Sequence, residues 1–202
     1  MTFVIIPGLD GSDEHHWQSL WEHDWLTPAI RIQPSSWTTP DLTDWSAAIT
    51  RAAESTPDTI IFITHSLGCH ALSHWLTQSP PPPHIRGAFL VAPPDPQSPT
   101  FPADRLPTFT SLPAAPLPIP SLLITSTNDP YCTPTTATHL AQAWSTPHIP
   151  LPNHGHINTP SNLATWPTGQ FLLTAFLAGL NLDVDAAKLS LQASNHTTPD
   201  RE

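Results

Sequence analysis

The chain has 202 residues, 39% of them apolar and eight of them Trp, a composition that supports one buried core and excludes a disordered chain. Six Lys plus Arg against sixteen Asp plus Glu give a formal net charge of −10, which opposes binding to the phosphates of nucleic acid. No apolar run reaches the roughly 20 residues of a membrane span, Met1 to Ile6 lacks the basic and long apolar parts of a signal peptide, and Cys69 and Cys132 are too few for a disulfide framework, so the expected location is the cytoplasm.

In chain order, Val4-Ile5-Ile6 is a β-branched run halted by Pro7-Gly8, a buried strand meeting a turn. From Glu14 onward Trp17, Leu20, Trp21 and Trp25 recur at helical spacing, with Ser12 or Asp13 as N-cap. Ala29 to Gln33 alternates as a strand, and Thr39-Pro40 opens a helix carrying Leu42, Trp45, Ile49 and Ala52. The alternation continues with a strand at Thr59 to Thr64, a helix at Leu67 to Gln78 ended by Pro80 to Pro83, and a strand at Gly87 to Val91.

Ten prolines between Pro93 and Pro120 forbid regular structure there and predict a long, stiffened excursion. Beyond it lie a strand at Ser121 to Thr125, a helix from Thr133-Pro134 to Trp144, a short strand near His148 to Leu151 and a helix from Pro167 to about Ala178. Strands of four to six residues separated by helices of ten or more predict βαβ units. The fold class is therefore α/β, three-layered, with a mostly parallel sheet of about six strands in one domain over 1–180, followed by a polar tail at 181–202. In such sheets ligands bind beyond the carboxyl ends of the strands.

Thr64-His65-Ser66-Leu67-Gly68 lies where a strand gives way to a helix and matches the nucleophile elbow G-x-S-x-G, with Thr at the first small position. Asn128-Asp129-Pro130 follows the strand Leu122-Leu123-Ile124, and His154-Gly155-His156 follows the last short strand. The order Ser, Asp, His, each at a strand's carboxyl end, is that of α/β-hydrolases. It nominates Ser66 as nucleophile, His156 as general base and Asp129 as the acid that orients it. Asp95 is the second choice for the acid and His154 for the base. The amides of Leu67, next to the nucleophile, and Leu9, in the loop Pro7 to Gly11, are the expected oxyanion donors.

These residues resemble the small serine hydrolase family typified by retinoblastoma-binding protein 9 and the bacillar YdeN protein. The marks are the loop after the first strand, the His16-Trp17 and Trp21 pair, Thr64 to Gly68, Asn128-Asp129-Pro130-Tyr131 and Gly155-His156-Ile157-Asn158, spread over most of residues 3 to 178. The resemblance implies a compact α/β-hydrolase core with its triad on Ser66, Asp129 and His156. It implies no single substrate.

The expected reaction is hydrolysis of small esters through an acyl-enzyme, with a small acyl compound as ligand; peptidase or amidase action and a non-catalytic binding role are the alternatives. His65, Trp37, Phe101 and Phe109 are the candidate pocket residues, with Trp166 a further loop tryptophan of the same kind and the Pro-rich excursion a possible cap. No cofactor or metal is expected. Dinucleotide and P-loop motifs are absent, His70 and His74 stand at i and i+4 without an accompanying zinc motif, and the only lysine, Lys188, lies in the tail.

Overall fold

The computed structural model describes residues 1–25 and 27–182, so the tail beyond Leu182, Lys188 included, lies outside the described residues. Six strands form one sheet: β1 (Thr2–Ile6), β2 (Ala29–Arg31), β3 (Ile60–His65), β4 (Ile85–Val91), β5 (Ser121–Ser126) and β6 (His148–Leu151). Their spatial order is β2-β1-β3-β4-β5-β6, and every neighbouring pair is parallel. Five helices cover it: α1 (Trp17–Asp24), α2 (Leu42–Glu54), α3 (Leu67–Gln78), α4 (Pro134–Ala143) and α5 (Pro167–Gly179). None is long and apolar enough to cross a membrane.

A parallel sheet covered on both faces needs strands that are apolar at every position. β1 and β3 meet that need by alternation. Val4, Ile6, Ile60 and Phe62 join one core with Trp45 and Ile49 of α2, Leu72 of α3 and Ala141 of α4. Phe3, Ile5, Ile61 and Ile63 join the other with Trp17 and Trp21 of α1 and Leu173 and Leu177 of α5. The class read from the sequence is therefore the class observed: α/β, three layers, helices on both faces.

The chain steps outward from β1 to β2, returns across β1 to β3, and then continues the other way through β4, β5 and β6. The connections leaving β1 and β3 thus diverge, and a crevice opens where their carboxyl ends meet. Gln18, fully buried on α1, bridges this point. Its Nε2 donates to the Ile6 and Ile63 carbonyls at 3.3 and 3.0 Å, and its Oε1 accepts from the Ser12 hydroxyl at 2.7 Å.

Three local expectations are corrected. The N-cap of α1 is His16, whose Nδ1 accepts from the Gln18 amide, and neither Ser12 nor Asp13 caps it. Asp13 is instead occupied by the His15 amide and the Thr159 hydroxyl. β2 ends at Arg31 and not at Gln33. Trp166 is no pocket residue: it is 1% exposed and its ring lies near-parallel to that of Trp21, with centroids 5.8 Å apart. The excursion holds one 3₁₀ turn, Pro107–Phe109, and otherwise no regular element.

Removing a fully buried aliphatic side chain forfeits both its transfer free energy and its packing contacts. Leu173→Ala, in the α5 face of the core, is therefore expected to lower unfolding free energy by about 2–5 kcal/mol. Phe171→Ala two residues away, where the side chain is 73% exposed, should change it by less than about 0.5 kcal/mol. Urea denaturation of both variants checks the pair; equal losses would contradict the assignment of the α5 face.

Candidate active site

β3 runs into α3 through a single residue, Ser66, held at φ 54° and ψ −123°. That backbone conformation is costly for a side-chain-bearing residue and persists only where the surroundings enforce it. Two glycines allow the enforcement. A Cβ on Gly68 would stand 2.5 Å from the carbonyl oxygens of Ile6 and Pro7, and one on Gly8 would stand 2.7 Å from Ser66 Cβ. The elbow is thus pressed against the end of β1, with the Ser66 hydroxyl above the carboxyl edge of the sheet. The Thr at the first elbow position is accommodated by turning inward, where its hydroxyl meets Cys69 Sγ at 3.0 Å.

The loops after β5 and β6 bring two more groups to Ser66. His156 Nδ1–H donates to both carboxylate oxygens of Asp129, at 3.0 and 2.9 Å, which leaves Nε2 unprotonated to accept from the Ser66 hydroxyl at 2.8 Å. Asp129 Oδ1 also accepts the Tyr131 amide, and the carboxylate is sealed from solvent with its side chain 1% exposed. The line hydroxyl, imidazole, carboxylate is therefore continuous and dry. The other two readings are not brought to it: Asp95 accepts from the Gln97 amide and the Thr136 hydroxyl, and the His154 ring lies against the Pro152 carbonyl.

Several residues hold this line in place in positioning roles that the sequence reading did not assign to them. The ring N–H of His65 donates to the His156 carbonyl at 2.9 Å, and that of Trp17 to the Ile157 carbonyl at 2.8 Å. The backbone of the base is thereby gripped from β3 and α1 together, across a loop with positive φ at Gly155 and Ile157. Asn128 Oδ1 accepts the Gly155 amide and the Ser126 hydroxyl, while Ser126 Oγ accepts the His154 amide. Only the motif Asn128-Asp129 hinted at this tie.

A cleft of about 480 Å³ opens over Ser66 and His156. The Leu9 and Leu67 amides, on the loop after β1 and at the start of α3, make no hydrogen bond among the described residues and so remain free to donate. The loop Pro7–Asp13 is tethered at both sides of the cleft. Asp10 receives Arg105 of the Pro-rich excursion at 2.6 Å, and Asp13 receives Thr159 of the loop that carries His156. The excursion contributes Phe101, Pro102 and Leu106 to the wall; His65 lines it too. Trp37 and Phe109 do not line it. Phe109 is fully buried against Trp45, 5.8 Å between centroids, and Trp37 packs behind the loop on the same indole. His70, the other half of the i, i+4 pair, turns inward and donates to the Pro94 carbonyl at the start of the excursion.

Burial dominates the titration of the imidazoles around this site. It pushes His16 down to about 4, helped by the charges of Arg31 and His156 and opposed by Asp13. It holds His65 well below the ordinary histidine range and also lowers His70. Burial likewise pushes both thiols, Cys69 and Cys132, up to about 12, so neither is a nucleophile at neutral pH.

A three-layer α/β fold with serine, aspartate and histidine following β3, β5 and β6 at the carboxyl edge of its sheet defines the α/β-hydrolase class. Within it, the chain belongs to the serine hydrolase family, whose model matches residues 3–175. It is similar to a YdeN-like hydrolase of Pectobacterium atrosepticum, at 35% identity and a TM-score of 0.76 over 89% of this chain and 91% of that one. The ydeN product of Bacillus subtilis, at 20% identity and a TM-score of 0.70 over 88% and 98% of the two chains, shares the fold. So does an esterase domain from Rhodothermus marinus, at 15% identity and 0.59 over 87% and 85%. No curated protein sequence matches the chain.

The neutral histidines make stability depend on pH. Their folded pKa values lie below the unfolded value near 6.5, so the unfolded chain binds the extra protons. The stability they contribute is complete above pH 6.5 and is lost as pH falls toward 4. For His16 alone the loss amounts to about 3 kcal/mol by pH 4. Denaturation midpoints between pH 7 and 4.5 should fall steeply in the wild type and less steeply in His16→Asn; parallel slopes would contradict the assignment.

Proposed function

We propose that the protein hydrolyses small esters through a Ser66–His156–Asp129 triad and an acyl-enzyme. The observation that carries this reading is the unbroken hydrogen-bond line from the Ser66 hydroxyl through His156 to the buried Asp129 carboxylate. Ser66 Oγ attacks the ester carbonyl carbon while its proton passes to His156 Nε2. The carbonyl oxygen becomes an oxyanion and takes the Leu9 and Leu67 amides as donors. Collapse expels the alcohol, which leaves with the proton from His156, and water then repeats the sequence on the acyl-Ser66 ester. Asp129 stays ionised throughout, fixing the tautomer and stabilising the imidazolium.

The acyl group lies against the apolar wall of Phe101, Pro102 and Leu106, so the excursion acts as a cap whose prolines reduce the entropy lost on ordering it. Residues 1–180 form the one catalytic domain of this reading, working in the cytoplasm, where the free Cys69 and Cys132 stay reduced. The esterase domain among the structural neighbours agrees with an ester as the bond cleaved.

A fluorophosphonate should label Ser66 stoichiometrically, and Ser66→Ala should lose both the label and turnover of p-nitrophenyl butyrate. Asp129→Asn, which leaves the geometry but not the tautomer, is expected to lower kcat by about 10⁴. Phe101→Ala should lower kcat/KM for the butyrate about tenfold relative to the acetate. Folded wild-type protein that takes no label would sink the triad and leave a binding role.

A further inference from the structure

The loop Pro7–Asp13 carries one of the two proposed oxyanion donors on a turn that needs outside support. Gly8 to Gly11 close this turn through the Gly11 amide, which donates to the Gly8 carbonyl at 3.1 Å. Asp10, in the third position, is held at φ 63°, and Gly11 follows at φ 78°. Glycine takes such values freely, whereas a residue with a Cβ keeps one only where its surroundings over-determine it. Leu9 stands directly before Asp10, and its amide makes no hydrogen bond among the described residues. The direction of that free N–H therefore depends on whatever keeps Asp10 in place.

Two contacts do so, and both lead to the segment Trp37-Thr38. The Asp10 amide donates to the Trp37 carbonyl at 2.8 Å. Arg105 Nη2 donates to Asp10 Oδ1 at 2.6 Å and to the Thr38 carbonyl at 2.9 Å, which closes the circuit. Arg105 is the only Lys or Arg among the residues lining the cleft. Its own backbone is fixed, because its amide donates to the Pro102 carbonyl at 3.0 Å and Leu106 beside it is buried in the core with Trp45.

From this circuit we infer that Arg105 is a positioning residue for the oxyanion hole: acting through Asp10, it holds the Leu9 amide toward the oxyanion. It also neutralises the Asp10 carboxylate, which would otherwise stand as an unpaired anion one residue from a donor that meets developing negative charge. The Pro-rich excursion thus reaches the chemistry as well as the acyl group.

The inference rests on the proposed ester hydrolysis at Ser66, and one set of measurements separates the two. Outright removal of an oxyanion donor lowers kcat by about 10²–10³, and loosening one costs less. Arg105→Gln is expected to lower kcat for p-nitrophenyl butyrate about tenfold. Acylation and deacylation both pass through an oxyanion, so KM should stay within about twofold. Propyl trifluoromethyl ketone reads the same site without turnover: Ser66 Oγ adds to its carbonyl carbon, the hydroxyl proton passes to His156, and the ketone oxygen becomes an oxyanion. Its inhibition should weaken by the same factor as kcat. The ion pair is half-exposed and adds little to global stability, so the melting temperature should hold. Because Arg105 acts through Asp10, adding Arg105→Gln to Asp10→Asn should lower kcat by less than about twofold more.

Unchanged kcat and ketone affinity in Arg105→Gln, beside a wild type that turns over and takes fluorophosphonate at Ser66, overturn the inference and leave the hydrolase reading intact. A raised KM at unchanged kcat assigns Arg105 to substrate contact and overturns it too. So does a lowered melting temperature with reduced kcat and undiminished ketone affinity, which assigns Arg105 to packing, and so do fully additive losses in the double variant. Folded wild type without label or turnover overturns both readings together.

Discussion

The close approach of three backbones at the end of the sheet is the constraint from which the rest follows. Ser66 reverses the chain in one residue, and it can do so only because Gly68 lets the start of α3 lie on the carbonyls of Ile6 and Pro7, and Gly8 lets the loop after β1 touch the serine itself. The same contact sets the Leu67 amide and the loop carrying Leu9 side by side above one crevice. Gln18 fixes the separation of β1 and β3 by spanning the Ile6 and Ile63 carbonyls. A side chain at either glycine would move the hydroxyl and the free amides at once.

Around that contact, polar groups are buried with little net charge. His16, His65 and His70 are neutral, and His65 and Trp17 present N–H dipoles to the backbone of the base. In the proposed reaction the imidazolium formed on His156 is answered by one carboxylate, Asp129, and by fixed dipoles in a dry setting. Such groups need not reorganise as charge develops, which is where preorganised sites derive most of their effect.

Much of this was legible in the sequence because it is local. β-branched runs, Pro and Gly punctuation and the periodicity of tryptophans define the strands and helices to within two or three residues, and the loops after three strands carry Ser66, Asp129 and His156. What was not legible depends on which helix faces meet. Trp37, Phe109 and Trp166 sit in irregular stretches, where pattern gives no inward or outward signal, and the packing of Trp45 and Trp21 decides them. His16 is the cap of α1 because the loop before it spends Ser12 on Gln18 and Asp13 on Thr159, bonds to partners that spacing cannot foresee. Asp95 and His154 were the second choices for acid and base on position, and the directions their side chains take turn them away from Ser66.

The Pro-rich excursion lines the cleft with six residues, Pro94, Thr100, Phe101, Pro102, Arg105 and Leu106, but lends no strand to the sheet, and its single short turn is not part of any layer. Its anchors are Phe101, Leu106, Phe109 and Ile119, buried in the core beside Trp45, and the hydrogen bonds of Arg105 to Asp10 and Thr38, of the Leu42 amide to Thr108 and of His70 to the Pro94 carbonyl. Exchanges at the exposed positions between these anchors can therefore accumulate without disturbing the elbow. Within a lineage built on this chain, selectivity is free to drift quickly over a reactive centre that changes slowly.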